Sequence, residues 1–185
     1  MTDTEFIDRA IDAAVAGTDH DKNVIARQTQ LLMTLKQNAL HKYAEFRASA
    51  PDKRHLVSKT GSVVLTSGEG TFPADALSAC AGQSTIRDEN GNVLLFVREK
   101  MDFLSGSLSR LFGYYHLLYA TASTITIQTR QISSGDLTAT IGPLSLEYVF
   151  VPTATQIAVE DEDDAFAIFA TLIKAGIEKF TPVPL

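Results

Sequence analysis

Residues 144–173 read Leu-Ser-Leu-Glu-Tyr-Val-Phe-Val-Pro (144–152), Thr-Ala-Thr-Gln-Ile-Ala-Val-Glu (153–160) and Asp-Glu-Asp-Asp-Ala-Phe-Ala-Ile-Phe-Ala-Thr-Leu-Ile (161–173). The first segment reads as a strand closed by Pro152, because it is short, rich in β-branched and aromatic residues and ended by a proline. The last is helical. Four carboxylates lead into Ala165–Ile173, which is apolar over most of its circumference and is predicted to be buried against several partners. A strand region therefore gives way to a closing helix, and the chain upstream is ordered the same way in reverse.

Residues 2–16 read as a helix. Thr2-Asp3-Thr4-Glu5 fits a capping box, and Phe6, Ile7, Ala10, Ile11, Ala14 and Val15 follow at helical spacing before Gly17. Residues 20–48 are predicted to form one long helix, with Val24, Leu31, Leu32, Leu35, Ala39, Tyr43 and Phe46 on a single apolar stripe. Pro51 ends it, since the residue before a proline is pushed out of the α region.

After Pro51 the chain becomes rich in Val, Ile, Thr, Ser and Gly. Val63–Thr66 and Ser123–Thr129 read as strands. Asp88-Glu89-Asn90-Gly91 predicts a hairpin joining Ser84–Arg87 to Val93–Val97, because Asn-Gly supplies the positive φ angles of a type I′ turn. Lys100–Phe112 has no clear period, and a helical turn is one reading of it. Helices in two blocks around a run of strands predict an α+β fold: helices at both ends packed together, with an inserted antiparallel β domain. The boundaries expected are a helical region at 1–55, the β domain at 56–152, a helix at 153–180 that packs on the N-terminal helices, and an extended arm at 181–185.

The 185 residues, 45% hydrophobic and 21% charged, suit an ordinary soluble domain with its own core rather than a disordered chain. No apolar run approaches a bilayer span, and the acidic start lacks the pattern of a secretory signal, so no membrane association is expected. The net charge is −6. Residues 1–60 carry nine Lys/Arg against eight Asp/Glu, and residues 61–185 seven against fourteen. A chain of this sign is not a general nucleic-acid binder, because that affinity comes from Lys and Arg neutralising phosphates.

The search for chemistry yields little. Cys80, the single cysteine, excludes an internal disulfide and a cysteine zinc cluster, and reads as a small buried apolar side chain. His41 and Glu45 stand four apart on a helix, which suits an exposed polar pair better than a metal site. Neither a nucleophile elbow nor a zinc-protease or phosphate-loop motif is present. Lys22, Lys36 and Arg47 line one flank of the 20–48 stripe, either as a solvated edge or as possible phosphate contacts. Glu160, Asp161, Glu162, Asp163 and Asp164 form the one dense charge cluster. It lacks the spacing and glycine of a calcium loop. The helix dipole favours carboxylates there, but five repel one another, so an exposed role is expected: lining a channel or contacting a neighbouring subunit. Thr181, Pro182, Val183, Pro184 and Leu185 read as an arm suited to reach a neighbour, since Pro182 and Pro184 favour an extended form. No catalytic residue, cofactor or metal is predicted.

Gly70-Thr71-Phe72-Pro73-Ala74-Asp75-Ala76-Leu77 is similar to the "Leu-Pro-Ala-Asp-Phe" box of tailed-bacteriophage head–tail adaptor proteins. The order of the elements downstream of the box also resembles that family: a hairpin at Asn90-Gly91, an aromatic segment at Tyr114-Tyr115, a strand at Ile125–Ile127, a Gly135-Asp136-Leu137 turn, a strand ending Tyr148–Pro152, and an acidic lead-in to an Ala-rich helix at Asp161–Ala175. Phe72 stands in place of the usual Leu, Ala76 in place of a common aromatic, and 98–113 has no counterpart. The resemblance implies a structural virion protein, made in the host cytoplasm and placed at the head–tail junction. It would form a homo-oligomeric ring that binds the portal protein and a tail protein and lets DNA pass without sequence-specific binding. Two other classes compete with it. One is a non-enzymatic bacterial binding module with a β-sandwich-like insertion; the other is an enzyme with a dispersed site at Tyr114, Tyr115 and His116.

Overall fold

The computed structural model describes residues 1–66, 69–97, 116–120, 126–133, 136–139 and 143–177. The arm at 181–185, the segment Lys100–Phe112 and Tyr114-Tyr115 lie outside the described residues. The fold is α+β, with helices at both ends of the chain and strands between them. Contacts divide it into two compact units, one of residues 1–57 with 151–185 and one of residues 58–150.

The first unit is helical. Helix α1 (Asp3–Val15) begins with the capping box: the Thr2 amide donates to Glu5 Oε2 at 2.6 Å and the Glu5 amide to Thr2 Oγ1 at 3.2 Å. These bonds satisfy two of the amides that a helix start leaves unpaired. Gly17 follows at φ 75°, a left-handed conformation that an L side chain resists.

The 20–48 segment is not one helix, as its period suggested, but two: α2 (Lys22–Ala26) and α3 (Thr29–Ala48). The chain leaves helical geometry at Gln28, with φ −83° and ψ 52°, although no Gly or Pro is there. Val24 therefore lies on a different helix from the rest of the expected stripe. Leu32, Ala39, Leu40, Tyr43, Ala44 and Ala48 are buried, whereas Val24, Leu31 and Phe46, expected on the inner stripe, stand exposed. Lys36 and Arg47 fall on the same inner line as Leu32, Leu40 and Tyr43. A charge tolerates burial only when paired, and both find carboxylates.

Helix α4 (Glu162–Ile177) closes the unit and packs on both α1 and α3. Ala165, Phe169, Ala170 and Ile173 form its buried face. The Phe169 ring stacks on Phe6 of α1, with centroids 5.2 Å apart and planes 28° apart. Residues from the two ends of the sequence thus share one core.

The second unit holds two sheets. In the first, β1 (Ser58–Val64), β8 (Pro143–Val149) and β3 (Thr85–Arg87) lie in the order β1-β8-β3, all antiparallel. Strand β8 runs down its centre, pairing Ser58 with Val149 through to Val64 with Pro143 on one side, and Ile86 with Leu146 on the other. It alternates from Pro143 to Tyr148: Leu144, Leu146 and Tyr148 are buried, Ser145 and Glu147 exposed. Val63, Leu65, Phe72, Ile86, Leu94 and Phe150 complete that core.

The second sheet contains β2 (Glu69–Thr71), β6 (Thr126–Ser133), β5 (His116–Ala120) and β4 (Leu95–Val97), in the order β2-β6-β5-β4, with β7 (Asp136–Ala139) also on β6. Its pairings are antiparallel except one: β4 runs parallel to β5, Leu95 beside Leu117. The β domain is antiparallel as expected apart from this one pairing, which shortens the expected hairpin. The Asn90-Gly91 turn forms, with Gly91 at φ 83° and the Leu94 amide donating to the Ile86 carbonyl at 2.8 Å. Beyond the Arg87–Val93 bridge, however, the chain leaves β3 and joins the other sheet. A turn fixes only the residues next to it, and β3 remains the outer strand of its own sheet.

Gly70 on β2 sits where a Cβ would come within 2.5 Å of Val63 Cγ1 and 3.1 Å of the Val64 carbonyl oxygen. Gly70→Ala must displace backbone as well as a core side chain. It is expected to cost about 1–3 kcal/mol, read as a lower urea midpoint with unchanged slope; a midpoint equal to wild type would contradict this packing.

Candidate functional site: an internal ion-pair cluster and the Asp75 corner

The acid run begins on a short 3-10 turn (Val159–Asp161) and continues into the first turn of α4. Its expected exposure fails at Asp161, which is 0% exposed. Its Oδ2 accepts from the Tyr43 hydroxyl at 2.8 Å and from Arg47 Nε. Its Oδ1 accepts from Arg47 Nη2 at 2.8 Å and Lys53 Nζ at 3.1 Å. Arg47 also donates to Asp164. Arg9 reaches Asp163 at 3.0 Å and Glu162 at 3.6 Å while its guanidinium lies over the Phe166 ring. Glu160 is exposed.

Four of the five carboxylates therefore hold cations from the N-terminal helical region. The run ties the two ends of the chain together, while Glu160, Asp163 and Asp164 remain exposed, as expected. The reason is positional: helices α1 and α3 each turn an arginine toward the start of α4, where the dipole already favours negative charge.

Two of the three possible phosphate contacts, Lys36 and Arg47, are corrected in the same way, and Lys22 stays exposed. Lys22 pairs with Asp12, Lys36 with Asp3 at 2.8 Å, and Arg47 with Asp161 and Asp164. Lys36 and Arg47 are buried, so they do not offer a line of charge to a polyanion. Tyr43 and Lys53 were not recognised from the sequence as parts of the cluster. The available signal was the placement of Lys36 and Arg47 on one helical line with Leu32, Leu40 and Tyr43: charges on an apolar line imply buried partners.

Burial pushes the Asp161 carboxyl upward, but hydrogen bonds from Tyr43, Lys53 and Arg47 outweigh it and hold its pKa below the ordinary aspartate value. The Tyr43 phenol is pushed up, first by burial and then by its bond to Asp161. A depressed folded pKa stabilises fully above the unfolded value, near 3.9, and that contribution is lost as pH falls through the folded value. Urea midpoints of the wild type are expected to fall more steeply from about pH 5 to pH 3 than those of Asp161→Asn. Equal slopes would mean that Asp161 does not carry this dependence.

A second cluster ties the β unit. Asp75 accepts from Tyr148 Oη at 2.9 Å and from Lys59 Nζ, and the Lys59 ammonium stands over the Phe150 ring, 5.1 Å from its centre. Burial raises the Asp75 carboxyl, but the Lys59 and Tyr148 hydrogen bonds bring it below its ordinary value. The bond to Asp75 raises Lys59; burial, then Asp75, raises Tyr148. Near neutrality the carboxylate is ionised, the ammonium charged and the phenol protonated. These states suit a structural tie and provide no general base poised near pH 7.

Among the described residues, no three His, Cys, Asp or Glu are placed to hold a metal ion, and no helix is long and apolar enough to cross a membrane. His41 and Glu45 are exposed, and Cys80 is buried. His116 begins β5.

On the helical unit, α3 and α4 also frame an open groove of about 360 Å³, lined by the apolar Phe46, Ala167, Ile168 and Leu172 and by Lys42, Asp164 and Thr171. No protein-family model matches the chain, and no curated protein or solved structure matches it.

Proposed function

We propose that this chain is a structural virion protein, a ring-forming head–tail adaptor that connects a portal protein to a tail protein and extends the DNA channel. The observation that carries this reading is the Asp75–Tyr148 hydrogen bond. The Pro73-Ala74-Asp75 box and the strand ending Tyr148–Pro152 are the two best-defined segments of the resemblance. Their contact gives both a common purpose, locking the entry of the β unit to its return strand. The helical unit built from both chain ends agrees with the order of elements in that family.

In this reading the negative character of the channel comes from the surplus of acids over residues 61–185, seven Lys/Arg against fourteen Asp/Glu, and not from Asp161, which is buried against Arg47. Repeated around a ring, a net −6 subunit repels phosphates and lets DNA slide. The work is mechanical and requires no cofactor.

The α3–α4 groove favours a second reading, a non-enzymatic binding module, because its volume falls in the range of small-ligand sites. Light scattering across a concentration series separates the two. The adaptor reading expects a mass many times the 20.1 kDa of one chain, with rings in electron micrographs. A mass that stays at one or two chains, with no rings, overturns it.

A further inference from the structure

We propose that the Asn90-Gly91 peptide is a site of spontaneous deamidation in this protein, and that Asp88 restrains the reaction by holding the loop around it. The inference does not depend on how the chain assembles. The reaction needs water and no enzyme. The Gly91 amide nitrogen attacks the side-chain carbonyl carbon of Asn90. A C–N bond forms, the bond from that carbon to the side-chain nitrogen breaks, and ammonia leaves with the amide proton. Water then opens the succinimide at either carbonyl, giving aspartate or isoaspartate. Asparagine is thermolabile through such chemistry.

The chain has four asparagines, Asn23, Asn38, Asn90 and Asn92, and their surroundings differ. Asn38 lies inside α3, where helical geometry commits the following amide to an intrahelical bond. The Val24 amide after Asn23 donates to the Asp21 carbonyl at 3.1 Å. Asn92 is tied twice: its amide donates to Asp88 Oδ1 at 2.7 Å and its side-chain nitrogen to Asp88 Oδ2 at 2.9 Å. Val24 and Val93, both β-branched, also crowd the approach to Asn23 and Asn92. The Asn90 side chain has none of these restraints. It is exposed and takes part in no hydrogen bond among the described residues. Gly91 follows it without a Cβ, and an added Cβ there would meet nothing within 4 Å.

Asp88 holds the reaction back. Its carbonyl accepts from the attacking Gly91 amide at 3.0 Å, and its Oδ1 accepts from the Asn90 amide at 2.9 Å. Asp88 is itself buried, so the loop turns about a fixed point. To cyclise, the Gly91 amide must leave the Asp88 carbonyl. A short exposed loop opens locally at far less cost than the whole fold, so the reaction is slowed and not abolished. The isoaspartyl product routes the main chain through the former side chain and lengthens it between residues 90 and 91. The bond from the Asp88 amide to the Asn92 carbonyl at 2.9 Å, and that from Arg87 to the Gly91 carbonyl at 3.1 Å, then fall out of register.

Peptide mass spectrometry of the full chain, sampled during storage in mildly alkaline buffer, tests this. The expected result is amide-to-acid conversion at Asn90, split between aspartate and isoaspartate, while Asn23, Asn38 and Asn92 keep their amides. Conversion at Asn90 no faster than at Asn38 overturns the site. Asp88→Ala is expected to raise the rate at Asn90 several-fold with Asn38 unchanged; an unchanged rate at Asn90 overturns the restraint. If Asn38 accelerates as well, the variant has unfolded, and the wild type in unfolding concentrations of urea decides. A rate at Asn90 higher in urea than in buffer supports the restraint, and a rate no higher overturns it.

Discussion

Asp161→Ala is expected to destabilise the protein by about 3–5 kcal/mol, the usual cost of removing one partner of a buried ion pair. Arg47 is 4% exposed and takes two of its bonds from Asp161. Without that carboxylate its guanidinium stays buried with only Asp164, which is itself more than half exposed. Lys53 is 39% exposed and can turn to water; Tyr43 cannot, and its hydroxyl loses its acceptor. Urea unfolding measures the loss. Glu160→Ala, one residue earlier and exposed, is expected to stay within about 0.5 kcal/mol of wild type. Adding Arg47→Met to Asp161→Ala should recover part of the loss, because the double variant leaves no buried guanidinium unpaired. Similar midpoints for Asp161→Ala and Glu160→Ala would show that the cluster is not a structural clasp.

The second large effect falls on the aromatic contact between the chain ends. Phe169→Ala is expected to cost about 3–5 kcal/mol, the range for deleting a buried ring when the site only partly collapses. Phe6 and Phe169 are each 0% exposed and stacked on one another, so the void would open between α1 and α4 with no solvent to fill it. Phe6→Ala should cost a similar amount, and the double variant less than the sum, since both remove the same contact. Phe166→Ala, on the half-buried side where Arg9 covers the ring, should cost clearly less. Additive losses for Phe6 and Phe169 would mean that they do not share a core.

Both predictions concern the junction of the first and last helices, and that junction separates what was legible in the sequence from what was not. The Thr2–Glu5 capping box was legible because both partners lie within one turn. The Gly91 turn was legible because its φ of 83° depends on residues next to it. The strand at 144–149 and the helix after Asp161 could be read from their local composition, and with them the α+β order of the chain.

The candidate sites were legible only as lists of charges. The partners of Asp161 lie 108 to 118 residues away, at Lys53, Arg47 and Tyr43. No local pattern distinguishes an aspartate that will be buried among them from its exposed neighbour Glu160. The break at Gln28 likewise carries no Gly or Pro. Strand β4 pairs with β5 rather than extending its hairpin with β3, a choice that no local pattern carries. Periodicity and capping act within a few residues, so the sequence by itself determined the elements and their order. Burial of charge and strand partnership are set by residues brought together from far along the chain, so only the tertiary structure decided that the acid run is a clasp.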